Sequence, residues 1–485
     1  MIKKRKDMLK VLTLFVAVFL FAVACNSGKA EIAGDQWERL DTVLSQIVEP
    51  EFAEAVYVIT DYGAIADGKS NNTEAINNAV RACHENGGGK VLVPEGTFYT
   101  GPVHLLSNVN LHLHEKATLL FSVDPADYLP LVYTRWEGID CYNYSPLIYA
   151  RNQQNIAVTG KGKLQGNASE DDWWIWKGRK EYGWKEGDPS QLLPHARPAL
   201  KEYNAKGIPA EERRMGEGFY LRPQFINFIE CKNVLIEELT IENAPFWVIH
   251  PVFCENLIVR GVTINSLGPN NDGCDPESCK NVLIEDCYFN TGDDCIAIKS
   301  GRNRDGIVAA RPSENIVVRN CFMKNGHGGV VIGSEISGGA RNIFVENCKM
   351  DSPELDRAIR IKTNSNRSGI IENIYVRKIE IGEVKEAVLR INCNYDIKKE
   401  GTDTLYPVVR HVYLSEMSCT SSKYGLLLQG IEGQECIYDI HLDNSEFKGV
   451  KKGNSISHAQ KVSLRNVTMN GEKIAYNEIG TSAGD

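Results

Sequence analysis

The chain has 485 residues, 42% apolar and 24% charged, with 54 Lys and Arg against 63 Asp and Glu for a net charge of −9. These are globular proportions, and they exclude wholesale disorder and collagen-like structure. One ordinary compact domain of this length would exceed the usual size, which leaves several domains or one elongated repeat.

The N-terminus carries Lys3, Lys4, Arg5 and Lys6, then an apolar run from Val11 to Ala24 broken only by Thr13, then Cys25. A basic start and a short apolar stretch are the layout of a signal peptide, and the stretch is too short to span a bilayer comfortably. The junction Ala22-Val23-Ala24-Cys25 resembles a bacterial lipobox. That implies a lipoprotein-type signal peptide over 1–24, lipidation at Cys25, and export to the periplasm or outer membrane of a Gram-negative bacterium. Residues 25–54 then read as a tether. Losing 1–24 removes five positive charges and one negative, so −9 becomes −13. Such a balance argues against nucleic acid as partner and confines the membrane to the lipid anchor.

Next in order, Asn72 is placed to cap a helix through Thr73, Ala75, Ile76, Ala79, Val80 and Cys83, whose apolar residues recur at three- and four-residue steps. Gly87-Gly88-Gly89 would stop it. Residues 166–218 hold Trp173, Trp174, Trp176 and Trp184 with mixed charges and no alternation. That stretch reads as an irregular insertion.

From there the pattern Asn, aliphatic, any, aliphatic recurs at Asn233, Asn256, Asn281, Asn315, Asn342 and Asn373, at spacings of 23, 25, 34, 27 and 31 residues. Weaker echoes fall at Asn110, Asn155, His411, Asp439 and Lys461. Short β-branched strands at this period mark a β-solenoid whose coils bury a core only by stacking. The predicted fold is all-β: a single-domain right-handed parallel β-helix (solenoid) over 55–475, with a short N-terminal capping helix and a C-terminal tail at 476–485. Equivalent Asn residues would stack and bond along one corner, or simply occupy left-handed turns. Cys287, Cys321 and Cys348 each follow a corner Asn by six residues, which points to buried stacked thiols rather than a disulfide framework or a zinc site.

Four polar clusters fall on successive coils. Asp272 follows Asn256 by 16 residues, Asp293 and Asp294 follow Asn281 by 12 and 13, and His327 follows Asn315 by 12. Arg360 and Lys362 follow Asn342 by 18 and 20. Taken singly, each reads as a solvated turn or strand face; on consecutive coils they would form one groove. The period of two sends Ile359 and Ile361 inward and both cations to the other face. Three clustered carboxylates suit glycoside hydrolysis, because crowding splits their pKa values into acid and base. The two cations suit the carboxylate of an acidic sugar.

The ordered set Asn270-Asn271-Asp272-Gly273, Gly292-Asp293-Asp294-Cys295, Gly326-His327-Gly328 and Arg360-Ile361-Lys362 resembles glycoside hydrolase family 28, the polygalacturonases and their pectin-degrading relatives. Thr60-Asp61-Tyr62-Gly63-Ala64 and Asp67-Gly68 look like that family's opening segment, and Asn271 departs from its usual Thr. The resemblance implies Asp293 as general acid, Asp272 and Asp294 as the pair that positions and activates water, His327 as the acid's assistant, and Arg360 and Lys362 as substrate-binding. It further implies inversion of configuration with no metal or cofactor.

The function expected is hydrolysis of pectic polysaccharide or oligosaccharide by a monomer. Exo action is suggested by the Trp-rich 166–218 stretch, which could wall off one end of the groove. The alternatives are a β-helical polysaccharide lyase using calcium, and a non-catalytic glycan-binding solenoid.

Overall fold

The computed structural model describes residues 37–397 and 405–476. The expected signal peptide over 1–24, Cys25 and the expected tail beyond Tyr476 lie outside the described residues. The chain divides into a short unit ending at Thr42 and a large one from Val43 onward, and the solenoid belongs entirely to the second.

From Val56 the backbone winds as a right-handed parallel β-helix, each coil adding in-register strands to the one before. One inward column runs Val234, Leu257, Val282, Ile316, Ile343 and Ile374, paired coil to coil. Every member is buried. Each such side chain contributes roughly 1.5–3 kcal/mol of burial, but only when a neighbouring coil covers it. The register steps equal the spacings of the Asn repeat, so variable turns are absorbed without slipping the core.

The corner asparagines both stack and turn. Asn155 donates to Asn108 Oδ1 at 3.0 Å, Asn233 to Asn155 at 2.8 Å, and Asn256 to Asn233 at 2.8 Å. Farther on, Asn315 donates to Asn281 at 2.9 Å and Asn342 to Asn315 at 3.0 Å. All have φ between 50° and 66°, as do His411 and Asp439 among the weaker echoes. The ladder enters at Asn108 and not at Asn110. Asn108 occupies the left-handed corner, whereas Asn110 lies inside a strand, where its Oδ1 accepts from Thr159. Between Asn256 and Asn281 the stack is diverted, because Asn256 Oδ1 accepts from Val48 N–H at 2.9 Å. Part of the expected tether is therefore docked on the solenoid's corner.

The predicted helix spans Thr73–Glu85 and buries Ile76, Ala79, Val80 and Cys83 in the first coils. Its capping oxygen comes from Asn71, which accepts from Thr73 N–H at 3.0 Å. Asn72 instead turns inward and ties Ile65 to Tyr99. The triple glycine ends the helix as expected: a Cβ on Gly88 would sit 2.4 Å from the Asn108 carbonyl. At the other end, Glu472–Tyr476 folds back antiparallel on Gln460–Met469. Cys287, Cys321 and Cys348 are buried and unbridged.

A second sheet of six strands carries the groove. It runs from Ile296–Ile298 through Val330–Gly333, Arg357–Lys362 and Ala387–Asn392 to Tyr424–Gln429 and Ser455–Ser457. Single bridges from Ile249 to Cys274 and on to Ile296 continue it toward the N-terminus. Beside that end, the antiparallel hairpin of Val132–Trp136 with Ile139–Asn143 joins the 166–218 stretch, which folds into short helical turns and the helix Arg197–Lys206. Trp136, Ile139, Cys141, Leu200 and Met215 share a small core with Phe246 and Trp247 of the solenoid. Trp136 stacks on Phe246 at 4.9 Å. The insertion is thus bolted to the coil that precedes Asp272.

Candidate active site

Cys274, Ile296, Val330 and Ile359 are equivalent positions on four successive coils. Counting back two residues gives Asp272, Asp294, Gly328 and Arg357; counting back three gives Asn271, Asp293, His327 and Asp356. Asp272 and Asp294 are therefore stacked one coil apart, a spacing of about 4.8 Å. Asp293 and His327 stack in the neighbouring column. Carboxylate oxygens of Asp272, Asp293 and Asp294 lie within 4.8 Å of one another. All six predicted site residues within the described chain meet in this one place.

The glycine of the third coil explains the Gly-His-Gly cluster. A Cβ on Gly328 would meet Val331 at 2.5 Å and close the space between Asp294 and Arg360. Through that opening Lys362 Nζ reaches Asp294 Oδ2 at 2.5 Å, and Arg360 Nη1 reaches Oδ1 at 3.3 Å. Ile359 and Ile361 face the core as the period of two requires. The cations lie on the opposite face but are buried rather than solvated, with the Tyr395 ring 5.2 Å from Arg360 and 5.3 Å from Lys362.

His327 Nδ1 is 2.9 Å from Asp293 Oδ1. This hydrogen bond to Asp293 raises His327 to about 9. Burial works against ionisation of Asp293, but His327, Lys362 and Lys177 outweigh it and hold that carboxyl well below its ordinary range. Asp272 goes the other way: burial, reinforced by the nearby Asp293, pushes it up to about 8 despite Lys299. Asp272 and Asp293 are thus split in opposite directions, as the sequence suggested for crowded acids.

Several site residues escaped the sequence reading. Lys299 lies 3.4 Å from Asp272, 3.9 Å from Asp275 and 3.6 Å from Glu335, with its ammonium 4.3 Å over the Trp247 ring. The signal was present: Ile296-Ala297-Ile298-Lys299 has the same form as Ile359-Arg360-Ile361-Lys362, so each stacked aspartate has its own lysine. Asn271, the departure from the family's Thr, is consumed by structure. It accepts from Ser266 and the Gly268 N–H and donates to Ala244 and Phe246 carbonyls, which fixes the turn that presents Asp272.

A model described as glycosyl hydrolases family 28 matches residues 215–473. The chain belongs to glycosyl hydrolases family 28. As a member of that family it is a glycoside hydrolase. A hyperthermoactive exopolygalacturonase of Thermotoga maritima is 44% identical, covering 92% of this chain and 98% of that one, with a TM-score of 0.88. A probable polygalacturonase of Vitis vinifera is 30% identical over 387 residues, 77% of this chain and 70% of the relative. An exo-poly-alpha-D-galacturonosidase of Dickeya chrysanthemi is 30% identical over 314 residues, which is 60% of this family 28 chain and 49% of the relative.

Proposed function

We propose that this glycoside hydrolase is an exo-acting polygalacturonase that removes galacturonate units from an end of pectic polysaccharide or oligosaccharide. The observation that carries the reading is the three-aspartate cluster with cations packed around it, in a groove whose N-terminal end abuts the anchored insertion. The 44% identity to an exopolygalacturonase over nearly the whole chain supports the same reading. Product analysis tests it: monogalacturonate should appear from the first minutes, and an early spread of intermediate oligomers would overturn end-wise action.

In this mechanism Asp293 is the general acid and draws its proton from His327 across their 2.9 Å contact. The two titrate as a unit, so a carboxylate ionised at rest can still deliver a proton. The stacked pair Asp272 and Asp294 holds the attacking water, and the ionised fraction of Asp272, which grows as pH approaches about 8, accepts its proton. Because that pair grips water rather than attacking the sugar, the product anomer should be inverted, as proton NMR of the first turnover would show. Arg360 and Lys362 bind a substrate carboxylate on the C-terminal side.

One observation, the pKa of about 8 at Asp272, favours a second reading with Asp272 as the acid. A galacturonide with an activated leaving group separates the two. The variant lacking the acid regains turnover on it, and the variant lacking the base does not.

We further propose that residues 1–24 direct export, that Cys25 is lipidated, and that the enzyme acts as a monomer. Incorporation of a tagged fatty acid, lost in C25A, tests the anchor.

A further inference from the structure

Cleavage separates two sugars, and in a polygalacturonide each bears a carboxylate. Arg360 and Lys362 offer one cationic station, on the C-terminal side of the acids. The insertion brings a second to the opposite side. Lys177 reaches from 166–218 to the Asn270 side-chain oxygen, which also accepts from Arg222 at 2.9 Å. Asn270 in turn donates to Asp293 Oδ2 at 3.4 Å. Lys177 is therefore one side chain removed from the acid cluster.

The local charge balance at Lys177 is unusual. Its hydrogen-bond partner is a neutral amide, not a carboxylate, so two of its three N–H groups have no protein acceptor among the described residues. Arg222 beside it is fully buried and spends its guanidinium on the Pro245 and Pro269 carbonyls, Gln191 and Asn270. Burial and the proximity of Arg222 bring Lys177 down to about 8, the behaviour of a cation short of an anion. Lys177 nevertheless remains partly open to solvent, as a groove-lining group must.

Resting on the exo-polygalacturonase reading, we infer that Lys177 is the receptor for the carboxylate of the terminal uronosyl unit at the closed end of the groove. The insertion then does two things with one segment: it blocks the chain's further passage and recognises the unit that stops there. Arg222 is a positioning residue that orients Asn270 and supplies positive potential.

The test uses the full enzyme on digalacturonate and on two mixed disaccharides, each with one galacturonate replaced by galactose. K177Q should lose roughly 10- to 100-fold in kcat/KM on digalacturonate, the range of one charge-assisted hydrogen bond. On the mixed disaccharide lacking the closed-end carboxylate K177Q should match the wild type, and on the other it should show the full loss. K177R should keep most of the wild-type rate on digalacturonate. Equal losses on both mixed substrates would mean that Lys177 acts only through Asn270 and Asp293, and would overturn the inference while leaving exo-polygalacturonase activity intact. Failure of the wild type to cleave any galacturonide would overturn both.

Discussion

The imidazole of His327 and the carboxylate of Asp293 stand 2.9 Å apart on adjacent coils, and each fixes the charge of the other. The histidine's folded pKa is raised to about 9 from an unfolded value near 6.5. Its stabilising contribution is therefore complete below about pH 6.5 and disappears as pH climbs through about 9. H327Q should unfold at lower temperature than wild type near pH 6, with the gap closing above pH 9 in thermal melts. Turnover should fall about 100-fold or more, since the acid loses its proton source.

Asp272 is expected to lower stability for the sake of chemistry. Its pKa of about 8 in the fold exceeds the unfolded value near 3.9, so the native state binds more protons than the unfolded one across that interval. Stability thus drops as pH rises from about 4 to 8. D272N should melt higher than wild type at pH 7–8, with little difference near pH 4, while its kcat falls by orders of magnitude. Equal melting curves at all pH values would mean that Asp272 is not a buried, proton-holding carboxyl.

Chelation should leave the enzyme unaffected. Lys299 pairs with Asp272, Lys362 and Arg360 with Asp294, and His327 with Asp293, so the acids already have cationic partners. Full activity after EDTA treatment, and products without the ultraviolet absorbance of unsaturated uronates, are expected. Loss of activity restored by calcium would favour the lyase alternative.

Within the corner ladder, Asn315 donates to Asn281 and accepts from Asn342, at a φ of 57°. N315A should cost about 2–4 kcal/mol, from two unpaired amide contacts and a left-handed alanine. N315G should recover the backbone part of that loss, about 1 kcal/mol. Urea unfolding midpoints would measure both, with specific activity unchanged.

The solenoid and its acid cluster were legible because both depend on periodicity. A register that buries Leu257, Val282 and Ile316 in one column lets the same three coils bring Asp272, Asp294 and Gly328 into another. What periodicity cannot encode is how an aperiodic segment folds. Lys177 meets Asn270 because Trp173 packs into the main core and the Trp174 indole N–H donates to the Ala244 carbonyl, a relation with no repeat behind it. Asn72 holds the N-cap position as expected, but its side chain is claimed by Ile65 and Tyr99, so the capping oxygen comes from Asn71, which alternation along the helix does not report. The burial of Arg360 and Lys362 was missed because alternation reports which face a residue takes, not what covers that face.

End-wise action beside the insertion, as proposed, would make throughput depend on how many termini a substrate offers. A long polymer and the same mass chopped into fragments contain nearly equal numbers of linkages but very different numbers of ends. Such an enzyme therefore works best downstream of one that cuts in mid-chain, and its rate on a fixed weight of material registers how far that earlier cutting has gone.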